Sequence, residues 1–164
     1  MAFDAYLTFV NKEIKGETTS KDFKDGIEIL SYSMGGSNPV SIGSFSAGAG
    51  AGKGSVGPFS FMKRFDAASA LLFQGCLKGT HYPKVTVTLR KAGGEKPVDY
   101  LKYEFEKCFI DSVNWSGSSG GDDTPVESCS MTYGKVTVTY TPQDAQGNPV
   151  GKPIIGTYDV TTVT

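Results

Sequence analysis

Short runs in which apolar and polar residues alternate recur along the chain, and this period of two constrains the fold more than any other feature. Residues 85–90, 101–105 and 135–140 show it most clearly, with a large apolar side chain at every second position. Such alternation is typical of strands that bury one face. Further strands are predicted at residues 5–10, 26–34, 57–63, 126–133 and 154–160. So many short strands in 164 residues indicate one mainly β domain, residues 1–164, built as a barrel or a sandwich.

Two of the predicted strands, 5–10 and 26–34, carry large apolar side chains on both faces. A strand of this kind needs cover on both sides. One cover is the core of the domain. The other is either a second layer of the same chain or a neighbouring subunit, and the pattern leaves both alternatives open.

One helix is predicted from Asp66 to about Lys78. Asp66 can cap its start, and Gly79 can end it in a left-handed conformation. Its apolar arc is wider than the stripe that a core-facing helix needs. The helix is therefore predicted to plug one end of the domain or to lie partly in an interface, with two interface candidates, Phe73 and Leu77. Gly75 inside the helix indicates close approach by another part of the chain.

Residues 35–57 form a long glycine-rich loop in this interpretation. Loops of this length in compact domains are usually functional or disordered. Three apolar side chains, Val40, Ile42 and Phe45, are embedded in it. They can order the loop when a partner buries them, at about 1.5–3 kcal/mol for each large side chain. The loop is therefore predicted to act between subunits, with these three residues in the interface.

No motif supports catalysis, a cofactor or a metal. The run 48–55 resembles a phosphate-binding loop, but a glycine follows its lysine where Ser or Thr is required. His81 is the only histidine and precedes Tyr-Pro, so we interpret it as a surface residue. Two neighbouring carboxylates, Asp122 and Asp123, follow a Gly/Ser run, and a solvated turn is the favoured interpretation over a cation site. The three cysteines are odd in number and lack C-x-x-C spacing, so we predict free, buried thiols.

Net charge and hydropathy exclude two classes of partner, nucleic acids and membranes. The formal net charge is −1 at pH 7, so the basic footprint of a nucleic-acid-binding protein is missing. No segment has the length and apolarity of a membrane span, and no direct membrane insertion is expected. The first residues lack a basic start and an apolar run of signal-peptide length. The chain is therefore expected to be made and folded in the cytoplasm.

Several segments together make the chain resemble the haemolysin-coregulated proteins, which form the inner tube of bacterial type VI secretion systems. The order and spacing of these segments agree over most of the chain, and the likeness is weakest after Pro142. The segments are KGE at 15–17, ILSYSMG at 29–35, FSFMK at 59–63, GTHYP at 79–83, LRKAGGE at 89–95, SGGDD at 119–123 and VTY at 138–140.

The resemblance implies a closed β-barrel of short antiparallel strands with one flanking α-helix and a long extended loop. It implies hexameric rings that stack head to tail into a hollow tube, which is assembled in the cytoplasm and then secreted without a signal peptide. The implied partners are further copies of the chain, the contractile sheath, the tip spike protein and secreted effectors carried in the lumen. No enzymatic activity is implied.

The resemblance also places Ser112, Asn114 and Trp115 near the inner wall of the tube. Trp115 beside polar groups is then either an adhesive spot for cargo or a cap on the core of the domain. Two alternative functions stay open at this point. One is the tube of a related contractile injection device or phage tail, and the other is an enzyme that happens to use a β-barrel.

Overall fold

The computed structural model describes residues 3–42, 50–91, 97–121 and 123–164. Within them the elements, in chain order, are β1 Phe3–Phe9, β2 Ile27–Ile29, β3 Ser31–Ser33, β4 Gly36–Ser37, β5 Val40–Ser41, β6 Gly50–Ala51, β7 Ser55–Val56, β8 Phe59–Arg64, α1 Ser69–Lys78, β9 His81–Lys91, β10 Asp99–Ser116, β11 Val126–Thr132, β12 Lys135–Tyr140 and β13 Ile154–Asp159. Every run predicted as a strand from its apolar spacing contains strand, so the mainly β prediction is confirmed.

Nine of the strands form one antiparallel sheet built around β10. The order is β2-β1-β9-β10-β11-β8-β3, while β12 pairs with β10 and β13 pairs with β12. β10 runs beside β12 from Leu101 to Glu106 and beside β11 from Phe109 to Ser116. The change of neighbour falls around Lys107, whose φ is +57°. This long strand therefore joins two halves of the sheet.

The core lies on one face of this sheet, as the alternation predicted. Leu7 and Phe9 of β1 are buried, and so are Val85, Val87 and Leu89 of β9. An aromatic cluster continues the core across β8, β10 and the β11–β12 turn, with neighbouring ring centroids 4.7–6.2 Å apart: Phe59, Phe61, Tyr103, Phe105 and Tyr133. Ring pairs at such distances add to the stabilisation that burial provides.

The predicted closed β-barrel is wrong, because no sheet in the described residues closes on itself. β2 and β3 stand at the two ends of the strand order, although only Leu30 separates them in the chain. At Leu30 the chain stops pairing with β1 and begins to pair with β8. The N–H of Leu30 donates to the carbonyl of Met62 at 2.7 Å. This single hydrogen bond does not extend into a ladder between β2 and β8, so the sheet stays open.

The same change of partner explains the apolar pattern of residues 26–34. Ile27 and Ile29 are buried. Tyr32 follows the break and stacks on Phe59 at 5.5 Å, against the same core. Ile27, Ile29 and Tyr32 therefore share one core, and these residues need neither a second layer nor a neighbouring subunit as cover. Leu30 is 50% exposed.

The helix begins at Ser69, three residues later than predicted. The prediction that Asp66 caps the helix is wrong, because the N-cap residue is Ala68 and it has no side-chain cap. The Asp66 carboxylate instead accepts the N–H of Ala68 at 2.9 Å, in the turn before the helix. Gly79 ends the helix with φ +64°, and Gly75 faces the Tyr82 hydroxyl so closely that a Cβ there would collide with it. Both glycine predictions are thus confirmed. No helix in the described part of the chain is long and apolar enough to cross a membrane.

The predicted loop 35–57 contains a two-stranded ribbon, in which Gly36 pairs with Val56 and Val40 pairs with Ala51. Two tyrosines hold the base of this ribbon. Tyr133 donates to the carbonyl of Gly57 at 2.8 Å, and Tyr158 donates to that of Gly54 at 3.1 Å. The arms are therefore more ordered than the glycine content alone predicts.

Candidate assembly surfaces

Beneath the start of α1, Lys63 is fully buried between two carboxylates. Its Nζ lies 2.7 Å from Asp66 Oδ1 and 2.7 Å from Glu127 Oε2. It also donates to Ser69 Oγ at 2.9 Å and to the carbonyl of Arg64 at 3.1 Å. A buried charge is tolerated only when it is paired and hydrogen-bonded. The network therefore fixes the first turn of α1 against β8 and β11.

Glu127 is the second fully buried member of this network. Besides Lys63, it accepts hydrogen bonds from Ser69 Oγ at 2.6 Å and from Trp115 Nε1 at 3.0 Å. Burial acts to raise the pKa of Glu127, but the hydrogen bonds from Lys63, Ser69 and Trp115 outweigh it and hold the pKa below its ordinary value. The carboxylate therefore stays ionised inside the protein at neutral pH.

An aromatic patch formed by Phe65, Phe73 and Trp115 adjoins the network through the hydrogen bond from Trp115 to Glu127. The Trp115 ring centroid is 4.7 Å from that of Phe73 and 5.3 Å from that of Phe65. Trp115 is 45% exposed and each phenylalanine 39% exposed. The structure thus places a residue predicted for the lumen and a residue predicted for the helix interface in one patch.

The other two residues predicted for the lumen lie on the same strand as Trp115. Ser112 is partly buried and shares a hydrogen bond of 2.8 Å with Ser130. Asn114 is exposed. Nothing in a single subunit tests whether these side chains face a lumen, so that assignment stays a prediction.

Exposed apolar side chains also mark the ribbon and the far end of the helix. Val40 is 58% exposed and Ile42 is 88% exposed, while Leu77 on α1 is 71% exposed. Phe45, predicted for the same interface as Val40 and Ile42, lies outside the described residues. The three described side chains are free to contact another molecule, and their role in an interface remains a prediction.

Sequence reasoning predicted a strand at residues 154–160 but missed that it forms an apolar edge of the sheet. β13 pairs only with β12 in the described residues, and its first two side chains, Ile154 and Ile155, are 63% and 64% exposed. Edge strands with exposed apolar residues and free backbone groups pair readily with other chains. Two consecutive isoleucines point to opposite faces of a strand, and this was the signal available in the sequence.

The groups weighed for chemistry do not come together. His81 is exposed, with its ring 5.3 Å from that of Phe109. Asp123 is exposed, and Asp122 lies outside the described residues. Burial raises the pKa of the Cys108 thiol to about 12, which leaves it unreactive at neutral pH. Among the residues described, no group of three His, Cys, Asp or Glu could hold a metal ion.

The chain matches proteins of known families over almost its whole length. A family model described as "Type VI secretion system effector, Hcp" matches residues 6–140. Protein hcp1 of Pseudomonas aeruginosa is 36% identical over 154 residues, which cover 94% of this chain and 93% of that protein. A solved structure described as that of a type six secretion system protein superposes with a TM-score of 0.91 at 29% identity, covering 99% of each chain. Hcp1 from Salmonella typhimurium gives a TM-score of 0.79 at 30% identity, with 99% of this chain and 97% of that chain covered.

Matches of this extent show that the chain is a protein of the bacterial type VI secretion systems. Within that class the chain belongs to the Hcp family of type VI secretion system effectors. The resemblance drawn from the sequence is thereby confirmed.

Proposed function

We propose that this chain is the repeating subunit of a type VI secretion inner tube, which assembles as hexameric rings and is secreted. Family membership carries the proposal. The subunit supports it, because the ribbon, the aromatic patch and the edge of β13 are three separate exposed apolar surfaces. A ring closed by rotation needs two different patches on each subunit, since its contacts are heterologous.

The proposal extends to the partners of the tube and to where in the cell it assembles. The rings stack head to tail in the cytoplasm inside a contractile sheath, with a spike protein at the tip, and effectors travel in the lumen. The tube works by assembly and not by catalysis. Replacing His81 or Asp123 with Ala is accordingly expected to leave secretion unchanged in variants that still form rings. Loss of secretion from such a folded, ring-forming variant would contradict the non-enzymatic role.

The direct test is the state of the purified protein. Light scattering and mass photometry are expected to show six-subunit particles, and negative-stain microscopy is expected to show a central hole. Secretion is measured by comparing the protein in culture medium between cells with and without a functional sheath. A monodisperse monomer across the micromolar range would contradict the proposal.

A further inference from the structure

A cavity of about 420 Å³ lies between the sheet and the turn at residues 22–25. Side chains of β1, β9, β10 and β12 contribute to its lining. The threonines on β1 and β9 alternate with buried core residues, so the cavity lies on the outer face of the sheet. Cavities of roughly 300–1,000 Å³ are the size that proteins use for small ligands. Five threonines line this one: Thr8, Thr86, Thr88, Thr139 and Thr141.

Thr88 is the residue that most clearly marks this cavity as a binding site. It is only 6% exposed, although it lies on the outer face between Tyr6 of β1 and Lys102 of β10. Among the described residues, none of the five threonine hydroxyls takes part in a side-chain hydrogen bond. A hydroxyl so far removed from solvent is normally hydrogen-bonded, because leaving it unpaired costs free energy. A polar ligand in the cavity supplies the missing partner.

Arg90 holds the wall of the cavity in place. Its guanidinium donates to Asp22 Oδ2 in the turn and to Asp99 Oδ1 on β10, each at 2.7 Å. Phe23 of the same turn stacks on Tyr6 with ring centroids 4.5 Å apart, and the Arg90 guanidinium lies 4.8 Å from the centroid of the Phe23 ring. The wall is therefore fixed before any ligand arrives, which lowers the entropic cost of binding.

The charges that remain available in the cavity are positive. Both carboxylates of the lining are occupied by Arg90. Lys24 forms no ion pair in the described residues, and Lys102 shares its partner Glu104 with a second lysine. Two ammonium groups thus border a cavity whose other available polar groups are hydroxyls. Lysine binds phosphate as a point charge, and a threonine hydroxyl can donate to a phosphate oxygen or accept from a sugar hydroxyl.

We infer that this cavity binds a phosphorylated sugar, with its phosphate drawn by Lys24 and Lys102 and its hydroxyls bound by the threonines. A nucleotide fits less well, because the Phe23 ring lies against both Tyr6 and Arg90 and has no free face to stack a base. The inference goes beyond the tube function and does not depend on ring formation. The same chemistry is offered by a free sugar phosphate of the cytoplasm and by a phosphorylated glycan of the cell envelope.

Isothermal titration calorimetry of the purified protein compares glucose 6-phosphate with glucose and with inorganic phosphate. Glucose 6-phosphate is expected to bind once per protomer, roughly five-fold or more tighter than either of its parts. Thr88→Val keeps the shape of the side chain but removes the hydroxyl, so it is expected to weaken binding about ten-fold. Lys24→Gln, at an exposed position, is the second variant if Thr88→Val does not fold, and a loss of about two-fold to five-fold is expected.

Two matched controls separate the cavity from general effects. Thr137→Val changes a threonine on the same face of β12 as Thr139 but outside the lining. Lys152→Gln removes an exposed charge that, like that of Lys24, belongs to none of the described ion pairs. Both controls are expected to bind glucose 6-phosphate like the parent, and melting curves check that every variant is folded.

Repeating the titration with the phosphorylated core oligosaccharide released from lipopolysaccharide distinguishes the two sources. Tighter binding of the oligosaccharide than of glucose 6-phosphate identifies an envelope glycan, and weaker binding identifies a free sugar phosphate. No saturable binding of either probe, equally tight binding of inorganic phosphate, or binding that neither Thr88→Val nor Lys24→Gln weakens would each overturn the inference. None of the residues that line the cavity belongs to the ribbon, the aromatic patch or the edge of β13, so these results leave the proposed ring subunit intact.

Discussion

The buried network around Lys63 makes a quantitative prediction about Glu127→Gln. Glutamine keeps the shape of the side chain but removes the charge and replaces one acceptor oxygen with an amide donor. Both carboxylate oxygens are in use, one by Lys63 and Ser69 and the other by Trp115. Either orientation of the amide therefore leaves two donors facing each other in a buried site.

The size of the effect follows from the partners that remain. Breaking a buried ion pair costs about 3–5 kcal/mol when the other charge is left uncompensated. Lys63 keeps Asp66 at 2.7 Å, so the lower end, about 3 kcal/mol, is expected. For a chain of this length each kcal/mol lowers Tm by about 2–4 °C, which gives a loss of roughly 6–12 °C.

The assay is urea and thermal unfolding at one fixed protomer concentration, because assembly also stabilises the folded state. Glu106→Gln is the matched control. Glu106 pairs with Lys135 at 3.5 Å with both side chains partly exposed, so its loss is expected to cost less than about 1 kcal/mol. If the two variants unfold alike, the network does not stabilise the helix as argued.

The same network predicts the direction of the pH dependence. The pKa of Glu127 is lower in the folded protein than in the unfolded chain. Its contribution is therefore complete above the unfolded-state pKa of about 4.3 and is lost as the pH falls through the folded-state pKa. Parental protein is expected to lose stability on acidification through that window, and Glu127→Gln is expected to lose less. Equal acid sensitivity in both proteins would contradict this assignment.

Two further predictions concern the helix and the ribbon. Gly75→Ala is expected to destabilise the fold by about 1–3 kcal/mol, because the new Cβ collides with the buried Tyr82 hydroxyl. Adding Tyr82→Phe removes the hydroxyl and is expected to recover part of the lost free energy of unfolding. If the destabilisation of the double variant equals the sum of those of the two single variants, the collision is ruled out. The triple change Val40→Ser, Ile42→Ser and Phe45→Ser is expected to reduce the number of tubes in micrographs while leaving the melting temperature of the subunit unchanged. Undiminished tube numbers would contradict the interface role of these residues.

The sequence predicted the strands well, because a strand on a half-buried sheet needs an apolar residue at every second position. It could not predict whether the sheet closes. Alternation shows which face of a strand is buried but not which strand pairs with which edge. The segment 26–34 illustrates this limit, because its two sets of apolar residues enter one core only through the change of partner at Leu30.

The buried ion pair was also readable in principle. Phe59, Phe61 and Lys63 occupy one face of β8, and Glu127 shares a face of β11 with Cys129. Opposite charges at inward positions of two strands point to a buried pair once the strands are known to be neighbours. The strand pairing, which sets Lys63 opposite Glu127, is the information that the sequence alone lacks.

The open sheet and the surfaces around it have one physical consequence in common. A closed barrel leaves no unpaired strand edge, whereas this sheet ends in β13 on one side, with two exposed isoleucines. The ribbon adds Val40 and Ile42 to the exposed apolar area. Neither surface finds cover among the described residues of one subunit. The Lys63–Glu127 pair stabilises the subunit itself, whereas the β13 edge and the ribbon stay exposed. Each contact with another copy that covers these surfaces stabilises the folded chain further. Assembly is therefore expected to raise its resistance to unfolding with protomer concentration.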